Sequence, residues 1–248
     1  MAQSRIPRIS TRGYYDRKSG KTLKKKHYDL YPKKFFDNLG QSAEFTIMIH
    51  GMRNSRSAAV SKFQIAKKRL RQLGYVHQVV GFSYDSDVSG AHLKSSEALA
   101  VRTAKLVARK NGSNLSQFIV DFKKKYPKTK IRLMGHSLGS EVIIHTLLHL
   151  ARKRCVIEGA YFFGSSVPAD LLTGEACRRA FAATVRTRLV NHYSANDDVL
   201  KSSYARGILH EPVGYLGLRK KIPKYVQKHV LPRNHRFVSY AAVLERYP

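Results

Sequence analysis

Ile131-Arg132-Leu133-Met134-Gly135-His136-Ser137-Leu138-Gly139-Ser140 sets a G-x-S-x-G pentapeptide between a strand-like run and a helix-like run. Upstream, Pro127 ends a helical pattern and Ile131 to Met134 reads as a short buried strand. Downstream, Val142, Ile143, Leu147 and Leu150 recur at helical spacing. A serine on so tight a turn needs neighbours nearly free of side chain two positions before and two after, and Gly135 and Gly139 meet that need. Ser137 is therefore expected at the carboxyl end of a strand, with the amino end of a helix beneath it. Developing negative charge is favoured there.

Nearer the amino terminus, Phe45, Ile47 and Ile49 alternate with Thr46 and Met48, and the run ends in His50-Gly51, a strand entering a glycine turn. Ser55 or Ser57 caps a helix whose Val60, Phe63, Ala66, Leu70 and Leu73 keep helical spacing up to Gly74. Val76 to Phe82 reads as a second buried strand, followed by a polar loop. Helical spacing returns at Leu99, Thr103, Leu106 and Val107, breaks at Asn111-Gly112, and resumes at Leu115, Phe118, Ile119 and Phe122 behind an Asn114 cap. Lys123, Lys124 and Lys125 load the last turn with charge that suits the helix dipole. Beyond the pentapeptide, Gly159 to Phe163 reads as a strand, Ala169 to Phe181 as a helix and Arg186 to Tyr193 as a further strand. Such alternation predicts an α/β fold: a mostly parallel central sheet covered by helices on both faces.

The 248 residues suffice for one sizeable core. The periodic pattern begins at Glu44, which sets a domain at 44–248 and leaves 1–43 as a basic N-terminal arm. Residues 1–34 hold eleven Lys or Arg against Asp16 and Asp29. Tyr14, Tyr15, Tyr28 and Tyr31 lie among them, a mix that suits stacking on nucleic acid or pinning the arm to its own domain. Residues 201–234 lose periodicity and read as a lid or a long surface loop. Over the whole chain 46 basic residues face 16 acidic ones, a formal charge of +30. That surface suits polyanions or an anionic membrane surface, here assigned to the arm. Cys155 and Cys177 are too few for a disulfide framework and read as small buried hydrophobes. No run of eighteen apolar residues and no leader-like apolar segment occurs, so a cytoplasmic location is expected. Composition does not fix the oligomeric state.

A serine hydroxyl becomes a good nucleophile only when a base takes its proton and a carboxylate orients that base. After Ser137 the chain offers Asp197-Asp198 just beyond a strand, then His235 in a Pro-Arg-Asn-His loop; His210 and His229 are the competing bases. Asp197 is preferred as the orienting acid, with Asp198 capping the next helix. Two backbone donors must meet an oxyanion, and Leu138 and Met52 are their expected sources. Gly51 permits close approach, His50 orients that loop, and His136 is held within the turn. Arg53 reads as a surface arginine or as a holder of an anionic part of the substrate. The scheme needs no metal and no organic cofactor.

These residues together resemble the α/β-hydrolase superfamily over roughly Glu44 to Tyr240. Asn191-His192-Tyr193-Ser194-Ala195-Asn196-Asp197-Asp198-Val199-Leu200 and His235-Arg236-Phe237-Val238-Ser239-Tyr240 are similar to an uncharacterised hydrolase family that includes a transmembrane and coiled-coil domain protein. That family's pattern lands on Asp197; the present chain departs from it in lacking membrane helices and in its basic arm. The resemblance implies a serine hydrolase cleaving an ester of a small molecule, lipid or polymer through an acyl-enzyme. The competing expectation is a polyanion- or nucleic-acid-binding module on a catalytically silent scaffold.

Overall fold

A computed structural model describes residues 6–91 and 93–248. Arg5, counted in the expected basic arm, lies outside the described residues. In chain order the elements are β1 (Arg8–Ser10), β2 (Asp29–Tyr31), α1 (Lys33–Leu39), β3 (Glu44–Ile49), α2 (Arg56–Gln72), β4 (Gln78–Ser83), α3 (Glu97–Lys125), β5 (Lys130–His136), α4 (Gly139–Arg152), β6 (Gly159–Phe163), α5 (Ala169–Thr173), α6 (Glu175–Thr184), β7 (Leu189–Tyr193), α7 (Asp198–Ala205), α8 (Val213–Leu216), β8 (Tyr225–His229) and α9 (Phe237–Ala242). The sheet runs β2-β1-β4-β3-β5-β6-β7-β8. Among the described residues only the edge pair β1–β2 of this sheet is antiparallel; every other neighbouring pair is parallel. This is the α/β-hydrolase fold, with the strand that leads into Ser137 at the centre.

Strand alternation sorts the core into two layers. Phe45, Ile47, Ile131, Leu133 and Phe162 face α3, α4 and α6, while Met48, Met134, Tyr161 and Phe163 face α2 and α9. A sheet with apolar residues on both faces of its central strands is stable only when helices cover both sides. Ser55 caps α2 by accepting from the Ala58 N–H at 3.2 Å. Among the described residues no helix is long and apolar enough to cross a membrane.

The structure departs from the sequence reading in four places. First, residues 6–43 do not form an arm separate from the core. β1 lies inside the sheet beside β4, and Ile9 and Tyr14 are fully buried. Ile9 lies between Arg8 and Ser10, and Tyr14 stands two residues after Arg12, so no apolar period marks them. The Tyr14 hydroxyl donates to Asp29 and the Tyr28 hydroxyl to Asp121, each at 2.9 Å, so both tyrosines pin this segment to its own domain.

Second, α3 is continuous through Asn111-Gly112. Its helix-breaking residues serve packing: Thr11 donates to Asn111 at 2.5 Å, and Asn114 donates to the Tyr15 hydroxyl at 2.6 Å in place of capping. A Cβ on Gly112 would fall 2.4 Å from that of His145, so glycine is what lets α4 cross so closely. Third, Gly174 divides the expected helix 169–181 into α5 and α6. Fourth, 201–234 is neither one lid nor one loop. It holds most of α7, all of α8 and the edge strand β8, whose four exposed residues out of five leave no alternating signal.

Candidate active site

Four strand ends deliver the site. β5 runs into Ser137, β3 into the Gly51 loop, β7 into the Asp197 loop, and the chain after β8 into His235. Because β3 and β6 flank β5 in parallel register, their carboxyl ends open beside the same turn. Ser137 adopts φ 52°, a left-handed conformation that costs a non-glycine residue energy and turns its side chain out of the strand. Its N–H donates to the Phe163 carbonyl at 3.0 Å, tying the turn to β6. The glycines are there for space: a Cβ on Gly139 would lie 2.4 Å from the Ile49 carbonyl oxygen, and one on Gly135 would lie 2.8 Å from the Gly139 backbone.

The structure brings Ser137, His235 and Asp197 into one hydrogen-bonded line. His235 Nε2 lies 3.0 Å from Ser137 Oγ, and His235 Nδ1 lies 2.7 Å from Asp197 Oδ2. His210 and His229 take no part in this line. Asp197 has no exposed surface. Burial alone pushes its carboxyl up, but the hydrogen bond and charge of His235, the Leu200 N–H and the Tyr240 hydroxyl together hold it below the ordinary carboxylate value. It is thus ionised at neutral pH and keeps the proton on His235 Nδ1, leaving Nε2 free to accept from the serine.

The two aspartates divide their work differently from the sequence reading. Asp197 itself caps α7, accepting from the Leu200 N–H at 3.0 Å through Oδ1 while Oδ2 serves the histidine. Asp198 is the first residue of α7, exposed, and lines the cleft. Tyr240 escaped the sequence reading: its hydroxyl donates to Asp197 Oδ2 at 2.7 Å from α9. Within an apolar run no residue pattern flags such a tyrosine.

His136 and His50 support the site and are both neutral. Burial, with the charge of His235 adding to it, lowers His136 to about 3. Its Nε2–H donates to the His235 backbone carbonyl at 2.7 Å, which fixes the loop carrying that histidine. Burial followed by the charge of Arg12 lowers His50 to about 3. His50 Nδ1–H donates to the Gly51 carbonyl at 2.9 Å, and its Nε2 accepts from the Tyr84 N–H at 3.3 Å. Asn54 adds bonds to the Gly51 and Met52 carbonyls at 3.0 and 2.8 Å. Arg12, from the expected arm, donates to the Asn54 and Ser55 carbonyls at 2.9 and 3.1 Å.

The loop so held lies against the serine, since a Cβ on Gly51 would fall 2.9 Å from that of Ser137. The N–H groups of Met52 and Leu138 make no backbone hydrogen bond among the described residues. The Leu138 N–H directly follows Ser137 and the Met52 N–H follows Gly51, the two places from which an oxyanion formed at Ser137 is expected to draw donors. Arg53 instead donates to Glu97 at 3.1 Å, and Arg206 donates to the other Glu97 oxygen at 2.7 Å. The cleft above Ser137 has a volume of about 900 Å³, and Val101, Leu138, Val199, Leu200 and Leu209 supply its apolar side. Among the described residues no group of three or more His, Cys, Asp or Glu side chains is arranged to hold a metal ion. Cys155 is half-buried, Cys177 is buried, and both are free.

Residues 100–210 match the model of a family described as "Protein of unknown function (DUF726)", a span that contains Ser137 and Asp197 but neither Gly51 nor His235. No curated protein matches the chain. Among solved structures it is similar to TT1662 from Thermus thermophilus at 13% identity and a TM-score of 0.48, covering 80% of this chain and 84% of that one. It is also similar to a lipase-esterase related protein from Clostridium acetobutylicum at 11% identity and a TM-score of 0.42, covering 81% and 90%. A third is XC6422 from Xanthomonas campestris, titled a member of a/b serine hydrolase without lid, at 13% identity and a TM-score of 0.43, covering 79% and 76%.

Proposed function

We propose that this chain is a serine hydrolase that cleaves a carboxylic ester through an acyl-enzyme. The observation that carries the reading is the line from Ser137 Oγ through His235 to Asp197, at 3.0 and 2.7 Å. Ser137 Oγ attacks the ester carbonyl carbon as its proton passes to His235 Nε2. The oxyanion meets the Met52 and Leu138 N–H groups. His235 then gives that proton to the departing alcohol oxygen, leaving the acyl group on Ser137. Water follows the same route: His235 takes its proton, hydroxide adds to the acyl carbon, and the collapsing intermediate expels the serine oxygen, which recovers the proton as the acid product leaves. Asp197 stabilises the imidazolium in both halves without taking its proton.

Ester turnover is preferred over a silent binding scaffold because such a scaffold has no need of an aligned base and a buried orienting carboxylate. Polyanion association remains compatible with this reading and rests on the +30 charge. The further likeness to the uncharacterised hydrolase family rests on the motif around Asn191 to Leu200, and a cytoplasmic location belongs to the same proposal. The test is turnover of p-nitrophenyl esters of rising acyl length by the wild-type chain and by Ser137→Ala. Hydrolysis by the wild type that the variant loses supports the reading, and equal rates overturn it.

A further inference from the structure

The charges lining the cleft are not evenly matched. Five cations, Arg53, Lys62, Lys105, Arg233 and Arg236, face it with two carboxylates, Glu97 and Asp198. Two of the five are satisfied by acids at the apolar side: Arg53 by Glu97, and Lys105 by the buried Glu141 at 3.6 Å. Lys62, Arg233 and Arg236 form no ion pair with any described carboxylate. Lys62 reaches the cleft from α2, Arg233 and Arg236 flank the Asn234-His235 pair, and the charge of Arg236 acts on Lys62. Lys62 is half-buried there; burial first, and the charge of Arg236 second, lower its ammonium below the usual lysine value. Its charge also adds to the lowering of His50 and His136, and it lines the same cleft as Ser137. Like charges gathered in a partly desolvated cleft repel one another, and an entering anion relieves that repulsion.

The side on which such an anion sits follows from the chemistry. His235 must hand its proton to the leaving oxygen, so the alcohol half of the ester lies along the His235 wall. The acyl half is left to the apolar side around Val101, Val199 and Leu209. We infer that Lys62, Arg233 and Arg236 form a subsite for an anionic group, a phosphate or a carboxylate, carried by the alcohol portion of the ester. The inference rests on the ester-cleaving reading and adds a substrate class to it.

The test compares matched esters on the full chain. For the carboxylate arm these are 3-carboxy-4-nitrophenyl butyrate and its neutral 3-carbamoyl counterpart; for the phosphate arm, 1-butyryl glycerol 3-phosphate and 1-butyryl glycerol, followed by acid release. In at least one arm kcat/KM should favour the anionic ester by roughly tenfold or more at low salt, the preference shrinking as salt rises. The ratio should fall toward one in Lys62→Gln/Arg233→Gln/Arg236→Gln. It should persist in Lys124→Gln/Lys125→Gln/Lys128→Gln, which removes the same charge at the opposite end of β5; single substitutions at Lys62 and Arg236 are read separately should the cleft triple not fold. A ratio near one in both arms, or one that the two triples lower equally, overturns the inference while p-nitrophenyl butyrate turnover leaves the ester reading standing. If no ester is turned over, the ester reading fails, and calorimetry with glycerol 3-phosphate decides the subsite. Saturable binding weakened at least fivefold by Lys62→Gln supports it, and unsaturable or unaltered binding overturns it.

Discussion

Asp197 holds His235 at 2.7 Å with one carboxylate oxygen while the other caps α7, so the residue that orients the base also fixes where the helix beside it begins. Helix and histidine cannot be displaced independently. The neighbouring Asp198 has neither contact.

This asymmetry predicts that Asp197→Asn lowers kcat by about three to four orders of magnitude, because the amide favours the wrong imidazole tautomer. Asp198→Asn should stay within a few-fold of wild type. Steady-state kinetics on one soluble ester checks the ranking, and comparable losses in the two variants would contradict it.

Tyr240→Phe removes one donor from a fully buried carboxylate. The expected cost is about 1 kcal/mol of stability, read by urea denaturation. With that donor gone Asp197 is less well held as an anion, so the acid limb of the kcat/KM profile should move as well. A purely structural role would leave the profile in place.

Residues before Glu44 should matter to chemistry. Arg12 ties Asn54 and Ser55, and thereby the Met52 donor loop, to β1 and β4 through a further bond to Ser83 at 2.9 Å. Arg12→Gln should lower kcat by roughly tenfold, less than outright loss of an oxyanion donor, with KM little changed. Removing residues 1–34 takes β1 and β2 out of the sheet and should prevent folding, seen as loss of cooperative thermal unfolding.

Stability should fall on mild acidification. His50 and His136 are held near 3 in the folded chain against about 6.5 when unfolded. Between those values the unfolded chain binds more protons, so stability declines as pH falls through that window. By pH 5 each contributes a loss of about 2 kcal/mol. Urea midpoints at pH 7 and pH 5 check this, and His136→Gln should flatten the difference.

What could be read from sequence divides along physical lines. The central strands, the turn at Ser137, and the order Ser137, Asp197, His235 were legible because buried parallel strands repeat apolar residues and the turn admits few residue types. β1 was hidden because three residues among arginines carry no period, and β8 because an edge strand with exposed side chains has no apolar face. Asn111-Gly112 misled for the opposite reason: residues that break an isolated helix are here used to receive Thr11 and His145. Tyr240 and Arg12 act through contacts 43 and 42 residues away, at Asp197 and Asn54, which no local pattern encodes.

Labelling by a fluorophosphonate probe reads the activation of Ser137 without need of a known substrate, because only an activated serine attacks the probe. Mass spectrometry of the labelled full chain should find the phosphonyl group on Ser137 alone, with labelling abolished in Ser137→Ala and strongly slowed in His235→Ala. An unlabelled chain, or one labelled equally well after Ser137→Ala, would mean that Ser137 is not an activated nucleophile.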